Sequence, residues 1–414
     1  MRQHTFVLIL VHCVFSNSID SFRSDLGFLE NPPHFNMKIG IVCYPTFGGS
    51  GVVATELGKA LAQNGHQVHF ITYTQPIRLD FFNENLFYHE VNISNYPLFQ
   101  YAPYESALTG KMVDVVKYEK LDLLHVHYAI PHATCAFMAK QILLSEGINI
   151  PVVTTLHGTD ITVVGKDATY KPVIELGINK SDGVTAVSDD LRRETLETFA
   201  IHREIEVIPN FVDFTRFHKQ KKEHFKRIIC PNDEKLLVHT SNFRKVKRIQ
   251  DIIHTFGKLK QHIPCKLLLV GDGPERPAME QLCRDLHLCD DIRFIGKLDA
   301  IEEVLSVADL FIMPSEKESF GLAALEAMAC EVPVISTNTG GLPELNIQGE
   351  TGFLSKIGDI EDMVKNALFI LQDENLPTFK ANALKRAHQF EVNAIVPKYE
   401  AYYTKIIDQV RAQA

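Results

Sequence analysis

An α/β fold of two Rossmann-like, doubly wound domains facing a cleft is the architecture this sequence predicts. Three observations lead there. The chain has 414 residues, which suits two or three domains better than one. Short apolar runs alternate with longer segments whose apolar residues fall at helical spacing. The apolar runs end in glycine and polar residues, as expected at the carboxyl ends of parallel strands, where ligands gather. Hydrophobic residues make up 45% and charged residues 22%, a globular balance. A net charge of −9 argues against nucleic acid as the main partner, so bases that hold phosphate must be local. Eight scattered cysteines without a C-x-x-C pair argue against a disulfide framework and for a reducing compartment.

Residues 1–36 are an N-terminal extension of a different character. The run Phe6-Val-Leu-Ile-Leu-Val-His-Cys-Val-Phe15 after Arg2 resembles a short signal peptide and is too short to span a membrane. A translation start at Met37 is preferred, because Lys38-Ile-Gly-Ile-Val-Cys-Tyr44 opens a nucleotide-binding type of domain directly. The expected location is cytoplasmic, where nucleotide sugars are found. The first half, 37–212, opens with a strand over 39–44, a glycine-rich loop Pro45-Thr-Phe-Gly-Gly-Ser-Gly51, a helix over 52–62 and a strand over 67–72. The loop is not G-x-G-x-x-G and no acid closes the second strand, so an NAD site is disfavoured. Gly49 and Ser50 at a helix start can still hold an anion. The strand end Leu121-Asp-Leu-Leu-His-Val-His-Tyr-Ala129 places His127 and Tyr128 at a cleft. Metal binding by His125, His127, His132 and His157 is the minor reading, since no acid or Cys follows at ligand spacing. A strand from 151 runs into His157-Gly-Thr-Asp160, setting His157 and Thr159 at the cleft mouth; a plain polar turn is the alternative. Another strand (183–187) and helix (189–199) follow, and Asn210 lies at the junction of the halves.

The second half, 213–390, begins with a polar, basic surface run over 218–226. A strand from Lys235 then ends in Ser241-Asn-Phe-Arg-Lys-Val-Lys-Arg248, followed by a helix over 249–263. Arg244, Lys245, Lys247 and Arg248 form a dense positive cluster just past a strand's carboxyl end, where charge-assisted bonds to phosphate are useful. A solvated charge run is the plainer reading. Strands over 265–270, running into Gly271-Asp-Gly-Pro-Glu275, and over 291–296 precede a short helix over 301–308. A strand over 332–336 ends in Asn338-Thr-Gly-Gly-Leu-Pro-Glu344, and the segment 391–414 reads helical and crosses back onto the first domain.

The stretch Ser315-Glu-Lys-Glu-Ser-Phe-Gly-Leu-Ala-Ala-Leu-Glu-Ala-Met-Ala329 organises the rest. It follows the apolar run Leu310-Phe-Ile-Met-Pro314 and becomes a helix near Phe320. Unpaired N–H groups and a partial positive charge at that helix start bind phosphate readily, and Gly321 lets the backbone approach it. Glu318 before the turn and Glu326 inside the helix can take sugar hydroxyls on either side of a diphosphate.

This stretch resembles the E-x7-E signature of the retaining glycosyltransferases of family 4, which have the GT-B fold. The resemblance covers residues 37 to 407. It is carried by Tyr44-Pro-Thr-Phe-Gly-Gly-Ser-Gly51, His125-Val-His-Tyr-Ala-Ile-Pro-His-Ala133, Thr154-Thr-Leu-His-Gly-Thr-Asp-Ile-Thr162, Ser241-Asn-Phe-Arg-Lys-Val-Lys-Arg248 and Leu268-Leu-Val-Gly-Asp-Gly-Pro-Glu275, and the third and fourth of these together are far more specific than E-x7-E alone. Within family 4 it is similar to the glucosaminyltransferases of bacillithiol biosynthesis. That implies transfer of N-acetylglucosamine from UDP-N-acetylglucosamine to the hydroxyl of L-malate, with retention, and with no metal or other cofactor. Catalytic roles would fall to His157, Arg244 and Glu318. Gly49, Arg244, Lys247, Arg248, Gly271, Glu318, Ser319, Phe320, Gly321, Leu322 and Glu326 would bind the donor, with Lys247 or Arg248 as the second diphosphate clamp. Ser50, Tyr128, His157, Thr159 and Asn210 would bind the acceptor. Stable membrane insertion is not expected, and a homo-oligomer is compatible with the sequence. Alternatives are a family 4 enzyme with another small or lipid acceptor, a nucleotide-sugar epimerase, or a non-catalytic nucleotide-binding module.

Overall fold

Two wholly parallel sheets, one in each half of the chain, carry the architecture in a computed structural model that describes residues 36–46, 48–79, 82–93 and 101–413. The expectations for residues 1–35 lie outside the described residues. The first sheet contains β1 (Lys38–Val42), β2 (Gln67–Thr72), β3 (Leu86–Glu90), β4 (Leu123–His127), β5 (Val152–Leu156), β6 (Gly183–Ala186) and β7 (Ile205–Val207). Their order is β3-β2-β1-β4-β5-β6-β7, and the chain reverses direction of winding between β1 and β4. The second sheet contains β8 (Lys235–Asn242), β9 (Cys265–Asp272), β10 (Ile292–Gly296), β11 (Leu310–Met313), β12 (Val334–Thr337) and β13 (Gly352–Ser355), in the order β10-β9-β8-β11-β12-β13. Each is doubly wound, with its ligand crevice expected at the strands' carboxyl ends.

Crossover helices cover both faces, which is why the central strands read as near-continuous apolar runs. In the first half they are α1 (Gly49–Gln63), α2 (Tyr104–Glu119), α3 (Thr134–Ser145), α4 (Lys171–Lys180) and α5 (Asp189–Thr198). The second half follows with α6 (Glu223–Ile229), α7 (Ile249–Leu259), α8 (Arg276–Asp285), α9 (Ile301–Leu305), α10 (Leu322–Ala329), α11 (Ile360–Ile370) and α12 (Leu376–Ala387). The basic run over 218–226 therefore ends inside a helix, and Lys226 bonds the buried Asp309 at 2.6 Å.

The last helix, α13 (Val392–Ala412), packs on the first sheet. Tyr399, Tyr403, Ile406 and Ile407 join Ile39, Ile41, Val68 and Phe70 in one apolar cluster. The Tyr402 hydroxyl accepts from the Val184 N–H at 2.9 Å and donates to the Val184 carbonyl at 3.1 Å. Tyr403 meets His125 Nδ1 at 2.7 Å. A further apolar cluster is continuous between the halves, joining Leu156, Val184 and Leu191 to Phe217, Val238, Phe311, Phe320 and Leu342. All seven cysteines among the described residues are free, and six of them are buried.

Candidate active site

Two helix starts face each other where the sheets' carboxyl ends meet. Gly49 is the first residue of α1 and Leu322 the first of α10. A Cβ on Gly49 would lie 4.0 Å from Leu322 Cδ2, so the first residues of the two helices are neighbours across the cleft. Gly321 caps α10 in the left-handed conformation, φ 96°, where a Cβ would be strained. Each start leaves backbone N–H groups without intrahelical partners, an arrangement that favours an anion. The helix begins at Leu322, two residues after Phe320, because the Ser319-Phe320-Gly321 turn is held by the loop after β12. There the Gly341 N–H bonds the Glu318 carbonyl at 2.9 Å. Phe320 is buried against Phe390 and supports the turn from below.

The basic cluster divides. Arg248 is committed away from the cleft, its guanidinium bonding Asp251 at 2.6 and 3.2 Å and Glu316 at 2.8 Å. Lys247 is paired with Glu318, the acid expected at the sugar. Arg244 is exposed, and its positive charge reaches the Tyr128 hydroxyl on the opposite half. Gly271 lies at the end of β9 with φ 126°, and a Cβ there would sit 1.8 Å from the Ser241 carbonyl oxygen. Its place in the structure is to let β9 press against β8 beneath the cluster. Glu326 is buried in α10, and burial pushes its carboxyl up to about 7 against the opposing charges of Arg78 and Arg216.

On the first half, Ser50, Tyr128 and Thr159 come together. The Ser50 and Tyr128 hydroxyls are 2.6 Å apart, with Thr159 beside Tyr128. Tyr128 is a non-glycine residue at φ 86°, a left-handed conformation of the kind that persists where the surroundings impose it. His157 Nε2 meets His127 Nδ1 at 2.7 Å, and burial holds His157 down to about 3 and His127 well below the ordinary histidine range. His157 is therefore a neutral imidazole at the cleft, and not a standing positive charge. Its neighbour Gly158 abuts Ser319, since a Cβ on Gly158 would lie 1.7 Å from Ser319 Oγ. Asn210 is buried three residues past β7, with Oδ1 left without a partner among the described residues.

The four histidines weighed as metal ligands engage each other and the protein instead. His125 bonds Thr155 and Tyr403, and His132 Nδ1 donates to the His127 carbonyl. Among the described residues, the one group of three such side chains close enough to share an ion is His69, His89 and Glu119. It lies at the β2–β3 edge of the first sheet, and not in the catalytic cleft.

Sequence reasoning missed Asp160 and Glu344, although both lie inside stretches it singled out. The Asp160 carboxylate accepts the Ala129 N–H at 2.9 Å and the Gly158 N–H at 3.0 Å, joining the loops after β4 and β5. The signal was a lone acid in an apolar run. Glu344 accepts the Asp189 and Asp190 N–H groups at 2.9 and 2.8 Å, so a second-half acid caps the first-half helix α5. Nothing local in the sequence pairs these segments. Burial raises the Asp160 carboxyl to about 6. A carboxyl raised above its unfolded value, about 3.9, contributes stability that is fully present below that value and is lost as pH rises through about 6. Asp160→Asn is expected to remove this slope, so that the melting-temperature gap between wild type and variant narrows from pH 4 to 7. It should also leave one buried N–H facing an amide N–H, destabilising by about 1–3 kcal/mol. A gap that is constant with pH would refute the Asp160 assignment.

A Glycosyltransferase Family 4 model matches residues 47–216, and a Glycosyl transferases group 1 model matches residues 220–389. Among curated proteins, the chain is 47% identical over 374 residues to the N-acetyl-alpha-D-glucosaminyl L-malate synthase of Bacillus anthracis, covering 90% of this chain and 97% of that one. It is 25% identical to the alpha-monoglucosyldiacylglycerol synthase of Streptococcus pneumoniae, over 87% of this chain and 86% of that one. Among solved structures, the sucrose-phosphate synthase of Thermosynechococcus elongatus superposes with a TM-score of 0.75 at 22% identity, covering 90% of this chain and all (100%) of that one. Anabaena HepE in complex with UDP and glucose superposes with a TM-score of 0.73 at 20% identity, covering 91% and 99%. The last two similarities speak for the GT-B arrangement of the sheets alone. The matches to both halves and the 47% identical relative together make this chain a glycosyltransferase, a member of family 4.

Proposed function

We propose that this enzyme transfers N-acetylglucosamine from UDP-N-acetylglucosamine to the hydroxyl of L-malate with retention at the anomeric carbon, as the first step of bacillithiol biosynthesis. The observation that carries the reading is the convergence of the α1 and α10 N-termini beside Arg244 and Lys247, next to a hydroxyl cluster on the first half. The printed name of the Bacillus anthracis relative supports the choice of substrates. In this reading residues 37–212 hold the acceptor, 213–390 hold the nucleotide sugar, and 391–414 tie back to the first domain.

The helix starts, Arg244 and Lys247 take the charge that grows on the departing diphosphate, and Ser319 to Leu322 line the turn that holds it. Lys247 is taken as the second clamp, because its partner Glu318 is itself an acid assigned to the donor, whereas Arg248 is bonded to Asp251 and Glu316. Glu326 takes the ribose hydroxyls, and Glu318, steered by Lys247, takes the transferred sugar. The bond from the anomeric carbon to the diphosphate oxygen breaks, and the bond to the malate hydroxyl oxygen forms on the same face. The hydroxyl proton passes to the departing phosphate oxygen. Neutral His157, anchored by His127, orients the sugar or the acceptor and carries no proton of its own into the reaction. Rate then comes from preorganised charge and positioning.

Ser50, Tyr128 and Thr159 hold malate, with Asn210 at the margin. We place the enzyme in the cytoplasm, where its donor is made; no helix among the described residues is long and apolar enough to cross a membrane. Ser50→Ala and Tyr128→Phe are expected to raise KM for malate about tenfold, the equivalent of one lost hydrogen bond of roughly 1.4 kcal/mol, with KM for UDP-N-acetylglucosamine nearly unchanged. Steady-state kinetics with each substrate varied decide it. A matched rise in both would move these residues to the donor. UDP release without malate, or sugar epimerised without acceptor, would replace the malate reading.

A further inference from the structure

Arg78 enters the donor side of the cleft from the first half. It follows β2 in Gln75-Pro-Ile-Arg78, where the Leu79 N–H bonds the Pro76 carbonyl at 3.2 Å and closes a turn. Arg78 itself has φ 65°, the left-handed region a bulky residue rarely occupies. The turn aims its guanidinium at two acids, with Nη1 3.8 Å from Glu326 Oε1 and 4.0 Å from Glu56 Oε1. Its side chain is 19% exposed and that of Glu326 is 10% exposed. The guanidinium also lies 5.9 Å from the Phe217 ring centroid, within cation–π range. Glu56 is on α1 and Glu326 on α10, the two helices whose first residues are neighbours across the cleft.

We infer that Arg78 is a positioning residue for the nucleotide, holding Glu326 as an ionised acceptor for both ribose hydroxyls and so coupling ribose recognition to the approach of the two halves. This rests on the reading of Glu326 as the ribose acid. Two vicinal hydroxyls can both donate to a carboxylate; a carboxylic acid keeps a proton of its own and offers a poorer acceptor pair. Burial works against the charged form. The groups that face Glu326 are Arg78 from the turn after β2, Arg216 from the connection between the sheets, Glu56 from α1 and Glu302 from α9. Cys330, just beyond α10, stays a neutral thiol, since burial raises it to about 12. The two acids add to the effect of burial, and the two arginines oppose it. Arg216 is committed elsewhere, to Glu302 at 3.0 Å and to the Asp299 carbonyl at 2.6 Å. Among the described contacts Arg78 makes no hydrogen bond of that kind, meeting only Glu56 and the Phe217 ring besides Glu326, so it governs the balance. With Glu326 near 7, the carboxyl is about half ionised at neutral pH, where the loss of one cation changes most.

The experiment is calorimetric titration of UDP into the full-length enzyme from pH 6 to 9, for wild type, Arg78→Met, Arg78→Lys and Glu326→Gln, with melting temperatures alongside. Ionisation of UDP itself is common to all four. Wild-type affinity is expected to fall below about pH 7. In Arg78→Met the fall should move up on the order of one pH unit, leaving UDP roughly fivefold weaker at pH 7 and near wild type by pH 9. Arg78→Lys should restore most of the shift, and Arg78→Gln, which also removes the charge, serves in place of the Met variant should that one not fold. Glu326→Gln should bind more weakly with no such inflection. Unchanged UDP affinity in Glu326→Gln would remove the ribose reading itself. Weakened Glu326→Gln combined with a wild-type inflection in Arg78→Met would overturn the role of Arg78 alone. A pH-independent loss in Arg78→Met would likewise overturn it, reducing Arg78 to a packing contact.

Discussion

Arg244→Ala is expected to lower kcat by on the order of 10²–10³, with the melting temperature unchanged. The side chain is exposed and makes no ion pair among the described residues, so its removal leaves no buried partner stranded. It lies in the loop after β8, at the carboxyl end of the second sheet, and its charge is felt by Tyr128 of the first half. A cation there is worth more as the diphosphate leaves than while it is still bonded to the sugar, so the loss falls on kcat more than on KM. Arg248→Ala provides the contrast. Its guanidinium holds Glu316 and the buried Asp251, so that variant should lose stability by about 1–3 kcal/mol and keep most of its turnover. Single-turnover kinetics with saturating donor separate the two. A loss below tenfold in Arg244→Ala would make the cluster a solvated face.

Gly158→Ala is expected to reduce turnover by about a hundredfold or more, through geometry and not through charge. Two constraints meet at this residue. Its φ of 105° is a conformation in which an L side chain costs roughly 1–3 kcal/mol. The added methyl would also lie 1.7 Å from Ser319 Oγ and 2.8 Å from Ser319 Cβ. The hydroxyl can rotate away, but the Cβ cannot move without its backbone, and that backbone forms the turn before α10. The substitution therefore pushes the His157 loop off the donor turn and opens the contact between halves. A Gly158→Ala/Ser319→Gly double variant removes the clash and keeps the strain. Partial recovery of kcat in the double variant would assign the effect to the contact; no recovery would assign it to the backbone alone. Full activity in Gly158→Ala would mean that these loops need not touch during turnover.

The sequence alone determined the architecture and the family, and it named candidate residues for the cleft. Central parallel strands are buried on both faces, so β1, β4, β5, β8, β9 and β11 each appear as apolar runs, and the glycine and polar residues at their ends mark the crevice. The edge strand β3, with a single fully buried residue in Leu-Phe-Tyr-His-Glu, gives no such signal and was passed over, as were α2, α8, α11 and α12. Glu318, Glu326 and the helix start between them were legible because they lie within one turn-and-helix segment. So were Ser50, Tyr128 and Thr159 as separate strand-end residues.

Tertiary structure decided which of these residues act on each other. Lys247 and Arg248 take different partners, Glu318 for the first and Asp251 and Glu316 for the second, up to 71 residues away along the chain. The meeting of Gly49 with Leu322, Gly158 with Ser319, Glu344 with α5 and Arg78 with Glu326 joins opposite halves of the molecule. Hydrophobic periodicity reports which face of an element is buried, and it carries no information about which distant face will cover it. That pairing is set only when the two sheets pack, and it is what turns strand-end residues into one site.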